Sequence, residues 1–209
     1  MNDTITIVIP TYNRYIKLLR LLNYFRENRF PFAIKILDSS VDKSKPDDLQ
    51  KLLQHEQVEY CEFDSDIGVF DKITSGLENI NTPYTVFCAD DDFIIPNGIL
   101  ACLDFLNENS DYVCACGKTF IFELNEENNL NWGLGDINAV SINNDNPGLR
   151  FYRHFSEYDM PTFYAVTRTG ILKMVLKNSH GMTDDLRFGE LLPTLLTVIH
   201  GKFKILETN

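Results

Sequence analysis

The chain has 209 residues, 44% hydrophobic and 23% charged, with 19 Lys and Arg against 30 Asp and Glu and a formal charge of −11. That length can bury one sizeable core, and that charge, with no concentrated basic patch, argues against a nucleic-acid partner. No basic segment leads into an apolar one at the N-terminus and no run of 18 apolar residues occurs, so neither a signal peptide nor a membrane span is expected and the predicted setting is cytoplasmic. Cys61, Cys88, Cys102, Cys114 and Cys116 form no Cys-x-x-Cys pair. They read as free thiols of a reducing compartment, four of them buried, rather than zinc ligands or a disulfide framework.

In chain order, Thr4 to Ile9 is rich in β-branched residues and stops at Pro10, as a strand does. Leu18, Leu21, Leu22 and Phe25 then fall at helical spacing. Phe32 to Leu37 predicts a second strand ending at Asp38, Ser39 and Ser40. Leu49, Leu52 and Leu53 mark a helix opened by Pro46 or Asp47, and Val58 to Glu62 a third strand. Phe70, Ile73, Leu77 and Ile80 give a third helix before the apolar strand at Tyr84 to Phe87. Pro96 can open a fourth helix, with Ile99, Cys102, Leu103 and Leu106 on one face. A strand from Tyr112 to about Glu123 follows.

Leu124 to Pro147 is rich in asparagine and has no helical period, so it reads as a long loop serving as a lid or binding segment. Its Trp132, the only tryptophan, either stacks on a sugar or anchors the loop on the core. Thr162 to Thr167 predicts a strand and Gly170 to Asn178 a short helix. Asp184 and Asp185 open a last helix, with Phe188, Leu191, Leu192, Leu195 and Ile199 on one face and Pro193 expected to kink or divide it. Lys202 to Leu206 ends the series as a strand. Such alternation predicts an α/β fold, a mostly parallel sheet with helices on both faces.

In such sheets ligands sit beyond the carboxyl ends of the strands, where the polar clusters at Thr11 to Arg14, Asp38 to Ser40, Asp64 to Gly68 and Asp90 to Asp92 all fall. Asp90, Asp91 and Asp92 repel one another, and a strand end that carries all three requires a counter-charge. In an extended segment Asp90 and Asp92 face the same way, so they can converge on a hard divalent cation carrying a nucleoside diphosphate. The alternative is an acidic turn that only solvates the strand end.

Residues 4 to 14, Ile36 to Ser40 and the Asp90 to Asp92 strand end together resemble glycosyltransferase family 2, whose fold is GT-A. Asp184 to Glu190 resembles the acidic segment carrying that family's catalytic base. The resemblance covers most of residues 4 to 123 and returns at 162 to 206. It implies one GT-A domain over residues 1–209, a nucleotide-sugar-binding half at 1–123 and an acceptor or lid half at 124–209. The implied reaction is inverting transfer of a sugar from a nucleotide-diphosphate donor, a UDP-sugar first, to a glycan or lipid-linked acceptor in surface polysaccharide biosynthesis. Mn²⁺ or Mg²⁺ is the implied cofactor, bound through a DXD-type motif. Because the chain stops soon after its final predicted strand, a further acceptor-binding or membrane-associating part is expected to lie outside it. Where many members carry Ala-Arg-Asn before a glycine, this chain has Lys72, Ile73 and Thr74 before Ser75 and Gly76, which moves the basic contact to Lys72.

Residue by residue, Pro10 fixes the exit from the first strand, and Thr11, Tyr12 and Arg14 line the base and diphosphate pocket. Asp38 accepts a hydrogen bond from the base or ribose, or else caps its turn. Asp90 faces ribose or metal, Asp91 completes the donor site, and Asp92 is the metal ligand. On the acceptor side Asp184 is expected to cap the last helix and Asp185 to act as the base, with Glu190 out of reach. His180 either approaches the diphosphate or is structural, and Arg150, Arg153 and His154 read as a solvated helix face. Three other readings stay open: a sugar nucleotidyltransferase, a non-catalytic sugar-nucleotide or glycan-binding module, and a retaining transferase on the same fold.

Overall fold

The computed structural model describes residues 2–124, 130–134, 140–158, 162–182 and 185–207. Its first half alternates as the pattern predicts: β1 (Asn2–Thr11), α1 (Tyr15–Glu27), β2 (Phe32–Asp38), α2 (Asp47–Leu53), β3 (Val58–Glu62), α3 (Val69–Leu77), β4 (Tyr84–Phe87) and α4 (Pro96–Glu108). Then come β5 (Tyr112–Cys116), β6 (Phe120–Leu124), β7 (Leu130–Leu134), α5 (Pro147–Ser156), a 3-10 turn (Thr162–Tyr164), β8 (Val166–Arg168), α6 (Thr169–Ser179), α7 (Leu186–His200) and β9 (Lys202–Ile205).

The main sheet has seven strands in the order β3-β2-β1-β4-β8-β5-β9. It is parallel except at β8, which runs antiparallel to β4 and β5. Period-2 alternation in β1 explains the layers. Ile5, Ile7 and Ile9 point to one face, where Leu18, Leu21 and Phe25 of α1 and Leu103 and Leu106 of α4 cover them. Val8 points to the other, with Leu37, Phe87, Ile73 and Leu77 of α3 and Leu172 and Leu176 of α6. Each such fully buried side chain contributes about 1.5–3 kcal/mol. β1, β2 and β4 are in parallel register, Thr11 opposite Asp38 and Val8 opposite Phe87, so their carboxyl ends lie side by side.

Four expectations are corrected, and that for Pro193 is narrowed. The strand from Tyr112 breaks at Gly117 to Thr119; β6 leaves the main sheet and pairs antiparallel with β7 in a two-stranded sheet of its own. The stretch after Leu124 is therefore not all loop, its strand hidden by Asn131 and Gly133 at alternate positions. The expected strand from Thr162 begins as a 3-10 turn and only Val166–Arg168 joins the sheet. Pro193 lies inside α7 without dividing it. The solvated face expected at Arg150 and His154 is also reversed: both are buried, and Leu149, Tyr152 and Phe155 are the exposed side chains of α5. Arg150 earns its place by donating to the carbonyls of Val198, Ile199, Asn144 and Asp145, among them two in the last turn of α7.

Candidate active site

A cavity of about 220 Å³ opens where the carboxyl ends of β1 and β4 meet α3 and the 3-10 turn, lined by Pro10, Thr11, Tyr12, Arg14, Lys72 and Asp90, with Val69, Phe87, Cys88, Ala89, Phe163 and Tyr164. Six residues singled out from the sequence thus converge on one cavity. Tyr12 presents its ring at the rim, 48% exposed. Lys72 is buried and donates to the Thr11 carbonyl at 2.9 Å and to Ser39 Oγ at 2.8 Å. Burial holds its ammonium below its usual value, with Asp38 and Asp90 opposing that shift.

Asp90 and Asp91 form a turn rather than an extended strand end, with the Asp92 N–H donating to the Ala89 carbonyl at 3.1 Å. The same-face argument for Asp90 and Asp92 therefore does not apply. Much of the counter-charge comes from the chain itself. Arg14 Nη1 lies 3.1 Å from Asp90 Oδ1 and 3.2 Å from Asp91 Oδ2, and Lys17 Nζ lies 2.8 Å from Asp91 Oδ2. Thr11 Oγ1 donates to the other Asp90 oxygen at 2.7 Å, and Arg20 Nη2 to the Asp91 carbonyl at 2.9 Å. The Lys17 hydrogen bond holds the Asp91 carboxyl below its ordinary value, and the Asp90 hydrogen bond holds the Arg14 guanidinium above its own.

Asp92 differs from both neighbours. Its side chain is exposed, yet desolvation by the chain around it and then repulsion from Asp91 and Asp90 push its carboxyl up, only partly offset by Arg20 and Lys17. Among the described residues no three His, Cys, Asp or Glu side chains converge as a ready metal cage. A divalent cation shared with a diphosphate needs only one or two carboxylates. Asp92, surrounded mainly by like charge, fits that requirement, with Asp90 beside it.

Asp38 lies beyond the cavity lining and has no solvent exposure. Its Oδ1 accepts from Ser40 N–H at 2.7 Å and Ser40 Oγ at 2.5 Å; its Oδ2 accepts from Tyr15 at 2.8 Å and from Tyr60. Burial opposes ionisation there, but the hydrogen bonds from Ser40, Tyr60 and Tyr15 outweigh it and hold the carboxyl below its ordinary value. This hub also positions Arg14. Asn13, at φ 56, donates its N–H to Ser40 Oγ and accepts from Val41 N–H through its side chain, a left-handed conformation that asparagine tolerates.

On the far side of the cavity Phe163 stacks on Phe87 with centroids 4.5 Å apart. Beside it burial, then the charges of Glu190, Asp92 and Asp91, push the Tyr164 phenol up to about 12. Glu190, expected out of reach, thus shares a local field with the triplet across one cavity-lining ring. Burial pushes its own carboxyl up. Gly189 lets α7 approach, because a Cβ there would run into the ring of Phe70, next to the lining residue Val69.

Asp185 is the N-cap of α7, its Oδ1 accepting from Arg187 N–H at 2.8 Å and Phe188 N–H at 3.1 Å. The capping role expected of Asp184 is thus filled by Asp185; Asp184 lies outside the described residues. His180 pairs with Asp71 at 3.0 Å and is not part of the cavity lining. The side chain of Trp132 lies outside the described residues. Phe163 and Tyr164 were missed because they lie in a segment whose pattern signals only packing; a ring pair after Pro161 was the available clue.

The model of glycosyl transferase family 2 matches residues 6–178, and the chain belongs to that family. No curated protein matches it. Among solved structures it is similar to TarS of S. aureus, with TM-score 0.67 and 15% identity, covering 99% of this chain and 35% of that one. Residues 1–349 of TarS give TM-score 0.67, 16% identity and coverage of 99% and 58%. The same TarS segment in complex with UDP-GlcNAc gives 0.69, 15%, 99% and 56%. The likeness shows the GT-A fold, and the chain spans between 35% and 58% of the length of those structures. No described helix is long and apolar enough to cross a membrane.

Proposed function

We propose that this protein is a metal-dependent inverting glycosyltransferase. It moves a sugar from a nucleoside diphosphate, with UDP the first candidate, to a hydroxyl on a glycan or lipid-linked acceptor of surface polysaccharide synthesis. One observation carries the reading: a single cavity at the carboxyl ends of β1 and β4 combines an exposed aromatic ring, two cationic side chains and Asp90, the first carboxylate of an acidic turn. Family membership over residues 6–178 supports it, as does the fold shared with TarS bound to UDP-GlcNAc.

In this reading Tyr12 covers the base, Arg14 reaches the diphosphate, and Lys72 sets a positive field beneath it. Asp92, with Asp90, holds a divalent cation whose charge stabilises the departing diphosphate. Asp38 supports the base site through Ser39, Ser40 and Asn13 rather than by direct contact, since its lone pairs are occupied from within the chain.

The acceptor hydroxyl must lose its proton as it attacks the anomeric carbon, and the leaving diphosphate departs from the opposite face. Asp185 is one candidate acceptor of that proton. The observations favour Glu190: it is half-buried, its raised carboxyl makes it the better base, and Tyr164 links it to the cavity. Glu190→Gln is expected to lower turnover by about 10² or more with donor affinity nearly unchanged. Asp185→Asn keeps a side-chain oxygen to accept at the N-cap, so stability should change little and turnover should stay within a few-fold. A dead Asp185→Asn beside an active Glu190→Gln would return the role to Asp185.

The broader test is a thermal-shift panel of UDP, GDP, TDP and CMP with and without Mn²⁺. Saturation at 100 times the dissociation constant stabilises by about 2.7 kcal/mol. Binding without donor turnover or hydrolysis, whatever acceptor is offered, would favour a non-catalytic binding module.

A further inference from the structure

Both oxygens of Asp90 are engaged from within the chain. One accepts from Thr11 Oγ1 at 2.7 Å, and the other faces Arg14 Nη1 at 3.1 Å. Asp90 itself is 3% exposed, whereas the Arg14 side chain is 50% exposed and lines the cavity. The pair is therefore asymmetric: the carboxylate is buried and the cation sits on a half-exposed side chain. Arg14 follows the Asn13 turn at the N-cap of α1, so its guanidinium can move without disturbing helix or sheet. Asp91 differs, because Lys17 holds it at 2.8 Å from outside the cavity lining and keeps it neutralised when Arg14 leaves.

From this geometry, and resting on the transferase reading above, we infer that Arg14 is an exchangeable counter-ion that keeps Asp90 closed to divalent cations until a diphosphate draws it away. Guanidinium pairs well with phosphate, through two parallel N–H donors. A diphosphate entering the cavity takes up Arg14, and the released Asp90 oxygen becomes open to a cation held between it and the phosphates. No covalent step is involved: Arg14 gives up its contacts with Asp90 and Asp91, Asp91 keeps Lys17, and new pairs form between Arg14 and phosphate and between Asp90 and the cation. Because both partners act on the same pair, each raises the affinity of the other by the same factor. The free protein binds a divalent cation poorly, and cation and nucleotide load together.

The test is calorimetric titration of Mn²⁺ into the full chain, alone and with saturating inorganic pyrophosphate, for wild type, Arg14→Gln and Lys17→Gln, with circular dichroism confirming the fold of each. Wild type is expected to bind Mn²⁺ about tenfold more tightly when pyrophosphate is present. Arg14→Gln should bind Mn²⁺ about tenfold more tightly than wild type without pyrophosphate and show coupling of about threefold or less. Lys17→Gln removes the same unit of charge but not the exchange, so its coupling should stay near the wild-type value. If Arg14→Gln fails to fold, Arg14→Met is titrated in its place with the same expectations. Equal Mn²⁺ affinity in wild type and the Arg14 variant overturns the exchange, as does an equal gain in Lys17→Gln, which would mark a plain charge effect. Failure of every nucleoside diphosphate to bind with Mn²⁺, while the Arg14 variant still tightens Mn²⁺ binding, would instead overturn the transferase reading and leave the exchange standing.

Discussion

Two carboxylate sites stand at the ends of strands in the same parallel sheet, and they are built in opposite ways. At the end of β2, Asp38 is sealed: four hydrogen bonds, all from the chain, consume both of its oxygens. At the end of β4, the triplet is neutralised from one side only, by the half-exposed Arg14 and Lys17, and Asp92 is left among like charges. Residue type and position in the sheet are shared; what differs is whether the surrounding chain offers neutral hydroxyls or mobile cations. Fixed donors make a carboxylate structural, while exchangeable partners leave it available to a ligand.

The largest expected effect that would break this contrast is on Asp38. Asp38→Ala leaves the hydroxyls of Tyr15 and Tyr60 and the Ser40 donors without their acceptor, for a loss of about 4 kcal/mol in urea unfolding. A direct contact of Asp38 with base or ribose, the first of the two roles read from the sequence, would give the reverse: a binding defect with little change in melting temperature. An unchanged unfolding midpoint would restore that first reading.

Asp92→Asn should do the opposite. Turnover is expected to fall about 10²- to 10³-fold, while the melting temperature holds or rises slightly because like-charge repulsion is relieved. Mn²⁺-dependent nucleotide binding reads out the same loss, and a variant that keeps it would remove Asp92 from the metal site.

A smaller effect, about 1–1.5 kcal/mol, is expected for Tyr60→Phe, which takes one of two hydroxyls from Asp38 Oδ2. Its acid unfolding midpoint should move to higher pH, since the Asp38 carboxyl would lose part of what holds it low. No movement would mean that Ser40 and Tyr15 carry the site alone.

The pH profile sharpens the comparison most finely. The folded Asp38 value is depressed, so its stabilisation is complete above the unfolded carboxylate value, near 3.9, and is lost as pH falls through the folded value. The folded Asp92 value is raised, so its relative stabilisation is present below that unfolded value and fades as pH rises through the folded one. Asp92→Asn should therefore remove a small decline in stability above about pH 4 while the acid loss below it persists. Screening keeps the Asp92 contribution modest at its exposed position.

By itself the sequence determined the alternation of strands and helices through residue 108, the parallel sheet, and the clustering of Pro10 to Arg14 with Asp90 at one end of it. Those features depend on spacing between near neighbours: period 2 in β1, period 3.6 in α1 and α4, and breakers at strand ends. Lys72 was legible only through the resemblance to family 2, as the basic residue in the stretch where many members carry Ala-Arg-Asn. Tertiary structure alone decided which carboxylates are closed and which are open. Tyr15 and Tyr60 reach Asp38 from 23 and 22 positions away, and Arg14 reaches Asp90 across 76. It also turned Arg150 and His154 inward, made Asp185 a cap, and brought Phe163 and Tyr164 to the cavity. The physical reason is that the partner of a buried or half-buried charge is chosen by strands adjacent in the sheet but distant in the chain, and no local period records that choice.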